Sequence, residues 1–150
     1  LDILNPSLNS SNIEVIKNID DFEFVTIEND LIQILMNIIT NAKDALIDLK
    51  DEEARYIFIN ISKNQKNIVI EIFDNTMGIK DVIISRVFEP YFTTKHKSQG
   101  TGIGLYMSKI LVDNNLKGNI AVENHTFIYN NKEFKGAKFI ILLPIKLEKK

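Results

Sequence analysis

Apolar residues along this chain change their period several times, and the changes mark out its elements. In "NDLIQILMNIITNAKDALIDLKDEE" they fall at Leu31, Ile34, Leu35, Ile38, Ile39, Ala42, Ala45, Leu46 and Leu49. That 3.6-residue period over several turns predicts a helix, with Asn29 or Asp30 as its N-cap. Ahead of it, Ile13, Val15 and Ile19, then Phe22, Phe24 and Ile27, predict two short strands. Behind it the period drops to two. "YIFINIS" puts Ile57, Ile59 and Ile61 on one face, and "NIVIEIF" does the same with Ile68, Ile70 and Ile72. "KNQKN" between them reads as a hairpin loop. From Asp74 to Gly104 no period survives, and four of the six glycines lie there. So long an aperiodic stretch inside a globular domain points to a functional loop. Ile103 to Asn114 resumes helical spacing through Met107, Ile110 and Leu111. "NIAVEN" and "AKFIILLPI" predict two closing strands. No internal repeat or linker is visible. The order predicts a two-layer α/β sandwich with a mixed, mostly antiparallel sheet covered by about three helices.

Composition narrows the classes. The chain has 150 residues, 45% apolar and 25% charged, with a net charge of −2 and scattered lysines. These values suit one soluble domain, residues 1–150, and give no basic surface for nucleic acid. Without cysteine there is neither a disulfide framework nor a thiolate metal site. The longest apolar run, Phe139 to Leu143, is too short to span a bilayer, and the polar start interrupted by Pro6 is no signal peptide. The chain begins without methionine, which leads to the expectation of a piece of a longer protein.

Several constellations could carry chemistry. Asn37, Asn41, Asp44 and Asp48 are spaced four, three and four, so they form one polar stripe on the long helix. Such a stripe is ordinarily a solvated face. Two asparagines inside "ILMNIITNA" are unusual, however, because asparagine is a mediocre helix former. Its amide oxygen is a hard ligand suited to Mg²⁺ that shares phosphate oxygens. "DNTMGI", Asp74 to Ile79, follows a strand directly. Its carboxylate could accept a hydrogen bond from an exocyclic amine such as adenine's, with Gly78 turning the chain under a flat ring. It reads equally as a plain turn. "VFEPYFTTK", Val87 to Lys95, puts three aromatics beside two threonines in the aperiodic stretch, as in a lid that packs shut, with Lys95 able to reach a terminal phosphate. Phe88 and Phe92 also fit ordinary core anchors. "QGTGIGLYMSK" lacks the Gly-Lys-Ser/Thr of a Walker A loop, and its third glycine comes one residue early for a dinucleotide fingerprint. What remains is a glycine run opening a helix, which either cradles phosphate or simply flexes ahead of a core helix.

The order of these pieces is more specific than any one of them. The chain resembles the ATP-binding catalytic domain of sensor histidine kinases, within the Bergerat-fold group shared by type II topoisomerase, Hsp90 and MutL ATPases. "NIITNAKDAL" looks like the N box, "DNTMGI" like the D-x-G-x-G box and "VFEPYFTTK" like the F box. "GTGIGL" and "GAKFIILLP" are similar to the later glycine boxes. The resemblance spans roughly Ile13 to Pro144, and the F box followed by "GTGIGLYMSK" is specific to the kinases. It implies ATP and Mg²⁺ as cofactors. Asn41 would be the Mg²⁺ ligand, with Asn37 and Asp44 near the metal or phosphates. Asp74 would hold the adenine amine, with Gly78 and Ile79 lining the base. Thr94 and Lys95 would belong to the ATP lid. Gly100, Thr101, Gly102, Gly104 and Leu105 would run along the phosphates, and Asn37, Asn41 and Lys95 would carry the catalysis.

The ATPases of the group carry a glutamate where this chain has Asn37, which cannot serve as a general base. That favours transfer to another nucleophile over transfer to water. The pattern departs at two places. Thr76 replaces the middle glycine of D-x-G-x-G, and a φ above zero there would store strain of order 1–3 kcal/mol. Ala137 replaces a threonine that many relatives use beside the aspartate, a loss for which Thr76 could compensate. Neither His96 nor His125 lies in a long amphipathic helix followed by an acidic residue and proline. The expected partners are therefore a histidine-bearing dimerisation domain of the same parent and a response-regulator receiver domain. The fragment is expected to be a cytoplasmic monomer without membrane contact. Three alternatives stay open at this point, a non-catalytic nucleotide-binding or docking module, an ATPase clamp of the MutL or topoisomerase type, and a serine kinase of the anti-sigma type.

Overall fold

Strand alternation decides the architecture. A computed structural model describes residues 5–49, 53–92 and 103–145. Helix α1 (Asn5–Ser10) leads into β1 (Ile13–Ile19), and α2 (Glu28–Ile47) crosses to β2 (Arg55–Lys63). Strand β3 (Asn67–Asp74), a single turn α3 (Asp81–Ile84) and α4 (Gly104–Ile110) follow. Helix α4 continues as a π-helical turn, Leu111–Asn115, before β4 (Asn119–Tyr129) and β5 (Lys132–Pro144). The five strands form one sheet in the order β1-β2-β3-β5-β4, with β1 parallel to β2 and the other pairs antiparallel. The expected two-layer sandwich is what forms.

The inner sheet face carries Ile57 and Ile59 of β2, Ile68, Ile70 and Ile72 of β3, Phe139, Ile141 and Leu143 of β5, and Ile120 of β4, all buried. Ile34, Ile38, Ile39, Ala42 and Leu46 of α2 close over it with Val112 and Leu116. Burial of these side chains is the main term holding the layers together. Arg55 ties the end of α2 to the α1–β1 turn, donating to the carbonyls of Ile47, Leu49 and Ser11. The helix carbonyls left without intrahelical partners find one there.

The outer face is not the polar surface that a two-layer sheet ordinarily shows to solvent. Pairing of β3 with β5 ends at Phe73 and Lys138, whereas β4 and β5 continue to Tyr129 and Lys132. Rings from this overhanging hairpin reach back to β2. Phe127 and Tyr129 meet Phe58 at 5.1 Å, and Phe134 meets Tyr56 at 5.5 Å. Phe58 also stacks on Phe73 at 4.7 Å. The rings shield one another, leaving Phe58 7% exposed.

Four expectations need correction. Residues 20–27 form no second strand, only an isolated bridge at Val25, and Phe22 and Phe24 pack against the core instead. Helix α2 begins at Glu28 with Ile27 as N-cap, so Asn29 and Asp30 sit inside its first turn, where Asp30 accepts a hydrogen bond from Asn115. Met107 lies at the surface, and α4 buries Ser108. The closing hairpin extends well beyond "NIAVEN" and "AKFIILLPI", because aromatic packing on the outer face holds residues too polar on the other side to read as core. On these grounds Phe58→Ala should cost about 3–5 kcal/mol, on a par with about 2–5 for Ile38→Ala in the inner core. Urea denaturation checks this. A loss under about 1 kcal/mol would mean that the outer rings form no core.

Candidate functional site

Each inner-face stripe stops being large and apolar at the same edge of the sheet. Ile68, Ile70 and Ile72 lead to Asp74, Ile120 and Val122 lead to Asn124, and Leu143, Ile141 and Phe139 lead to Ala137. Asn124 and Ala137 are cross-strand partners. A cavity of about 570 Å³ opens there beneath α2. Its α2 wall carries Asn41, Asp44 and Asp48, with Ala42 and Ala45 between them. Opposite stand Asp74, Thr76, Gly78 and Ile79, and Leu105, Phe139, Val87 and Phe92 make the rest largely apolar.

Asp74 is 4% exposed. Its Oδ1 accepts three hydrogen bonds, from the Thr76 hydroxyl at 2.6 Å, the Thr76 amide at 3.1 Å and the Ala137 amide at 3.2 Å. Burial pushes the carboxyl above its ordinary value of 3.8, while these bonds pull the other way. The backbone of β5 presses so close that a Cβ on Gly136 would overlap the Asp74 carbonyl and come within 2.7 Å of Oδ1. Only glycine lets β5 pass the carboxylate at this distance.

The loop after Asp74 is pinned on both sides. The Asn75 amide continues the sheet edge, accepting from the Tyr56 N–H and donating to the Ala54 carbonyl. The Met77 N–H donates to the Lys135 carbonyl. Asn124 clamps Ile79 twice, accepting from its N–H at 2.7 Å and donating to its carbonyl at 2.8 Å. The left-handed residues are Met77 at φ 78° and Gly78 at φ 90°. The strain expected at Thr76 therefore falls one residue later, and Thr76 is free to turn its hydroxyl onto Asp74. A side chain on Gly78 would also strike Asn124 Oδ1, at 2.6 Å.

Asn41, Asp44, Asp74, Gly78, Ile79 and Leu105 thus share one cavity. Asn37 does not line it. Its amide nitrogen donates to the Gly104 carbonyl and the Ser108 hydroxyl, both at 3.1 Å, and Ser108 in turn donates to Gly104. This polar cluster joins α2 to the start of α4. Of the aromatics in "VFEPYF", Phe88 packs on Phe139, Phe92 lines the cavity beneath the Arg86 guanidinium, and Tyr91 is exposed. Thr94, Lys95, His96, Gly100, Thr101 and Gly102 lie outside the described residues. His125 stacks on Phe127 on the outer face, away from the cavity. Asn124 and Ser108 escaped the sequence reading, and Gly136 entered it only as the glycine that opens the last glycine box. The parity of β4 could have found Asn124, since it continues the stripe of Ile120 and Val122.

An apolar slot ending in a buried acceptor, with hard amide and carboxylate oxygens across it, fits a flat base with an amino group and a metal held jointly with phosphates. Comparison with known proteins gives the family. Residues 26–147 match the family described as histidine kinase-, DNA gyrase B- and HSP90-like ATPase. The chain belongs to this family. Sporulation kinase E of Bacillus subtilis is 32% identical over 149 residues, which cover 97% of this chain and 18% of that protein. The chain thus spans under a fifth of that relative's length. The nucleotide-free catalytic domain of the histidine kinase ThkA superposes with a TM-score of 0.79 at 24% identity, covering 99% of this chain and 89% of the other. ThkA in complex with the response regulator protein TrrA superposes with a TM-score of 0.73 at 21% identity, covering 99% of this chain and 39% of that one. Among these relatives the chain sits with the sensor histidine kinases of two-component systems.

Two outcomes follow from this geometry. Asn124→Ala strips both partners from the Ile79 backbone and should cost about 1–3 kcal/mol, measured by denaturation. A neutral substitution would mean that the clamp holds nothing. Asp74 also sets a pH dependence. With its folded pKa raised, the folded state keeps a proton that the unfolded chain releases. Its stabilisation is complete below 3.8 and is lost as pH rises through the folded pKa. Wild type should therefore lose stability relative to Asp74→Asn as pH is raised above that value. Parallel profiles of denaturation midpoint against pH would refute it.

Proposed function

We propose that the cavity binds Mg·ATP and that the domain donates the γ-phosphoryl group to a histidine on a separate dimerisation domain of the same parent protein. A response-regulator receiver domain then takes the phosphoryl group from that histidine. The observation that carries this reading is the buried Asp74 carboxylate at the end of an apolar slot, opposite Asn41 and Asp44.

In this reading Asp74 Oδ2 accepts the exocyclic amine of adenine, and the ring lies against Ile79, Leu105 and Phe139. Asn41 holds Mg²⁺ together with phosphate oxygens, and Asp44 adds a second oxygen donor three residues on. The bound Mg²⁺ supplies charge neutralisation at the transferring group, which phosphoryl transfer needs more than covalent chemistry. Asn37 has no basicity to activate water, and its amide nitrogen is committed to Gly104 and Ser108. The missing base favours transfer to a histidine over hydrolysis. Lys95, Thr94 and the glycines Gly100 and Gly102, with Thr101, are the candidates for contacts to the phosphates. The sensor-kinase relatives and the kinase–response regulator complex of a structural neighbour support the choice of partners. No described helix is long and apolar enough to cross a membrane. We place the domain in the cytoplasm as a monomer.

Calorimetry with a non-hydrolysable ATP analogue should detect Mg²⁺-dependent binding. Mixing the domain with a dimerisation domain and γ-labelled ATP should put acid-labile label on the partner's histidine and none on the domain alone. Asn41→Ala should abolish the transfer. Absence of binding at millimolar nucleotide would support a docking module instead, and robust steady-state ATP turnover would support an ATPase clamp.

A further inference from the structure

We propose that Thr76 is a positioning residue for nucleotide-base selectivity, turning one end of the cavity into a pair of acceptors that selects a purine carrying a 6-amino group. The proposal rests on the nucleotide-binding reading above and adds a role for a side chain that breaks the family's glycine pattern.

Three donors converge on Asp74 Oδ1, and the shortest of the three is the Thr76 hydroxyl at 2.6 Å. One carboxylate oxygen has about two lone-pair directions, so Oδ1 has no capacity left for a ligand. Oδ2 has no hydrogen-bond partner among the described residues, and Asp74 lines the cavity. A ligand therefore meets the carboxylate at Oδ2, and Oδ2 accepts. Thr76 lines the same cavity. Its hydroxyl proton is spent on Asp74, so toward a ligand its oxygen can only accept. An amino group complements two acceptors. A keto oxygen at the same place is met by acceptors alone and loses its hydration without return.

Thr76 acts through Asp74. Two of the three donors are backbone amides, which no substitution short of proline removes. The hydroxyl is the one side-chain contribution, and it fixes the rotation of the carboxylate about its own axis. Without it, Oδ1 is held from the backbone side only, and the plane of the carboxylate can tilt. The left-handed backbone at Met77 and Gly78 belongs to the same device. By taking the strain at the next two residues, the loop leaves Thr76 in an ordinary conformation from which its hydroxyl reaches Oδ1.

The test compares three triphosphates as Mg²⁺ complexes by calorimetry: ATP, purine riboside triphosphate, which has hydrogen at position 6, and inosine triphosphate, which has a keto oxygen there. Wild type should prefer ATP over each by about tenfold or more. Thr76→Val, which keeps the shape and removes the hydroxyl, should bring the ATP-to-purine riboside ratio to within about threefold. Thr76→Ser should restore it, and Thr76→Ala should repeat the loss should the valine variant fold poorly. Equal weakening of all three ligands by both hydroxyl-less variants, or an unchanged ratio, would overturn the proposal and leave nucleotide binding standing. Failure of wild type to bind any of the three would overturn both readings.

Discussion

The structure turns on one carboxylate placed where a hydrophobic side chain would otherwise sit. Asp74 continues the stripe of Ile68, Ile70 and Ile72, and alternation alone carries it under the helices. A buried carboxylate is costly unless it is hydrogen-bonded. The surroundings answer that cost in detail. Thr76 turns back onto it, the Ala137 amide reaches it, and Gly136 omits a side chain so that β5 can come near enough. The satisfaction is one-sided. Every donor to Asp74 among the described residues goes to Oδ1, and the other oxygen is left for whatever enters the cavity. A group that is stabilised on one side and left open on the other is what the proposed nucleotide reading calls for.

That arrangement is held from outside the inner core. The β4–β5 hairpin outruns β3 and folds its rings onto Phe58, Phe73 and Tyr56 on the outer face. The same hairpin supplies Asn124, the Lys135 carbonyl, Gly136 and Ala137 to the loop at Asp74. The outer aromatic cluster and the cavity are thus two ends of one element. Packing on one face of the sheet positions polar groups on the other, because side chains alternate along a strand that bends as a unit. On the opposite wall α2 plays the matching part. Its apolar residues seat it on the sheet, and that seating turns Asn41 and Asp44 toward Asp74.

Much of the site was legible because its residues break a strong local pattern. Asn41 interrupts an apolar helix, and Asp74 ends an apolar strand. Gly78 proves to need its freedom twice over, for its φ and for the Asn124 side chain beside it. Thr76 was legible as a departure and as a stand-in for the threonine absent at Ala137, but its direct bond to Asp74 was not, since that depends on a backbone turn completed by Met77. Asn124 was missed because an asparagine near a strand end resembles a turn residue, and Gly136 was read as the opening of a glycine box without its role, because a strand glycine is silent until its neighbour is known. Asn37 was placed near the metal or phosphates by the resemblance of its helix to the N box. Yet one turn of helix is enough to carry it beyond the cavity wall, where it joins Gly104 and Ser108 instead.

The sequence by itself determined the period of each element, the inward face of α2, β2 and β3, and the family to which the motifs belong. These are local quantities, set by residue type and by repeats of 2 and 3.6. Tertiary structure decided which strands are neighbours, how far the closing hairpin runs and which oxygen of Asp74 is spent. Those depend in part on contacts between residues far apart in the chain, 42 for Ile13 with Arg55 and 63 for Asp74 with Ala137, where the energy lies in fit between elements and no single segment carries its signal.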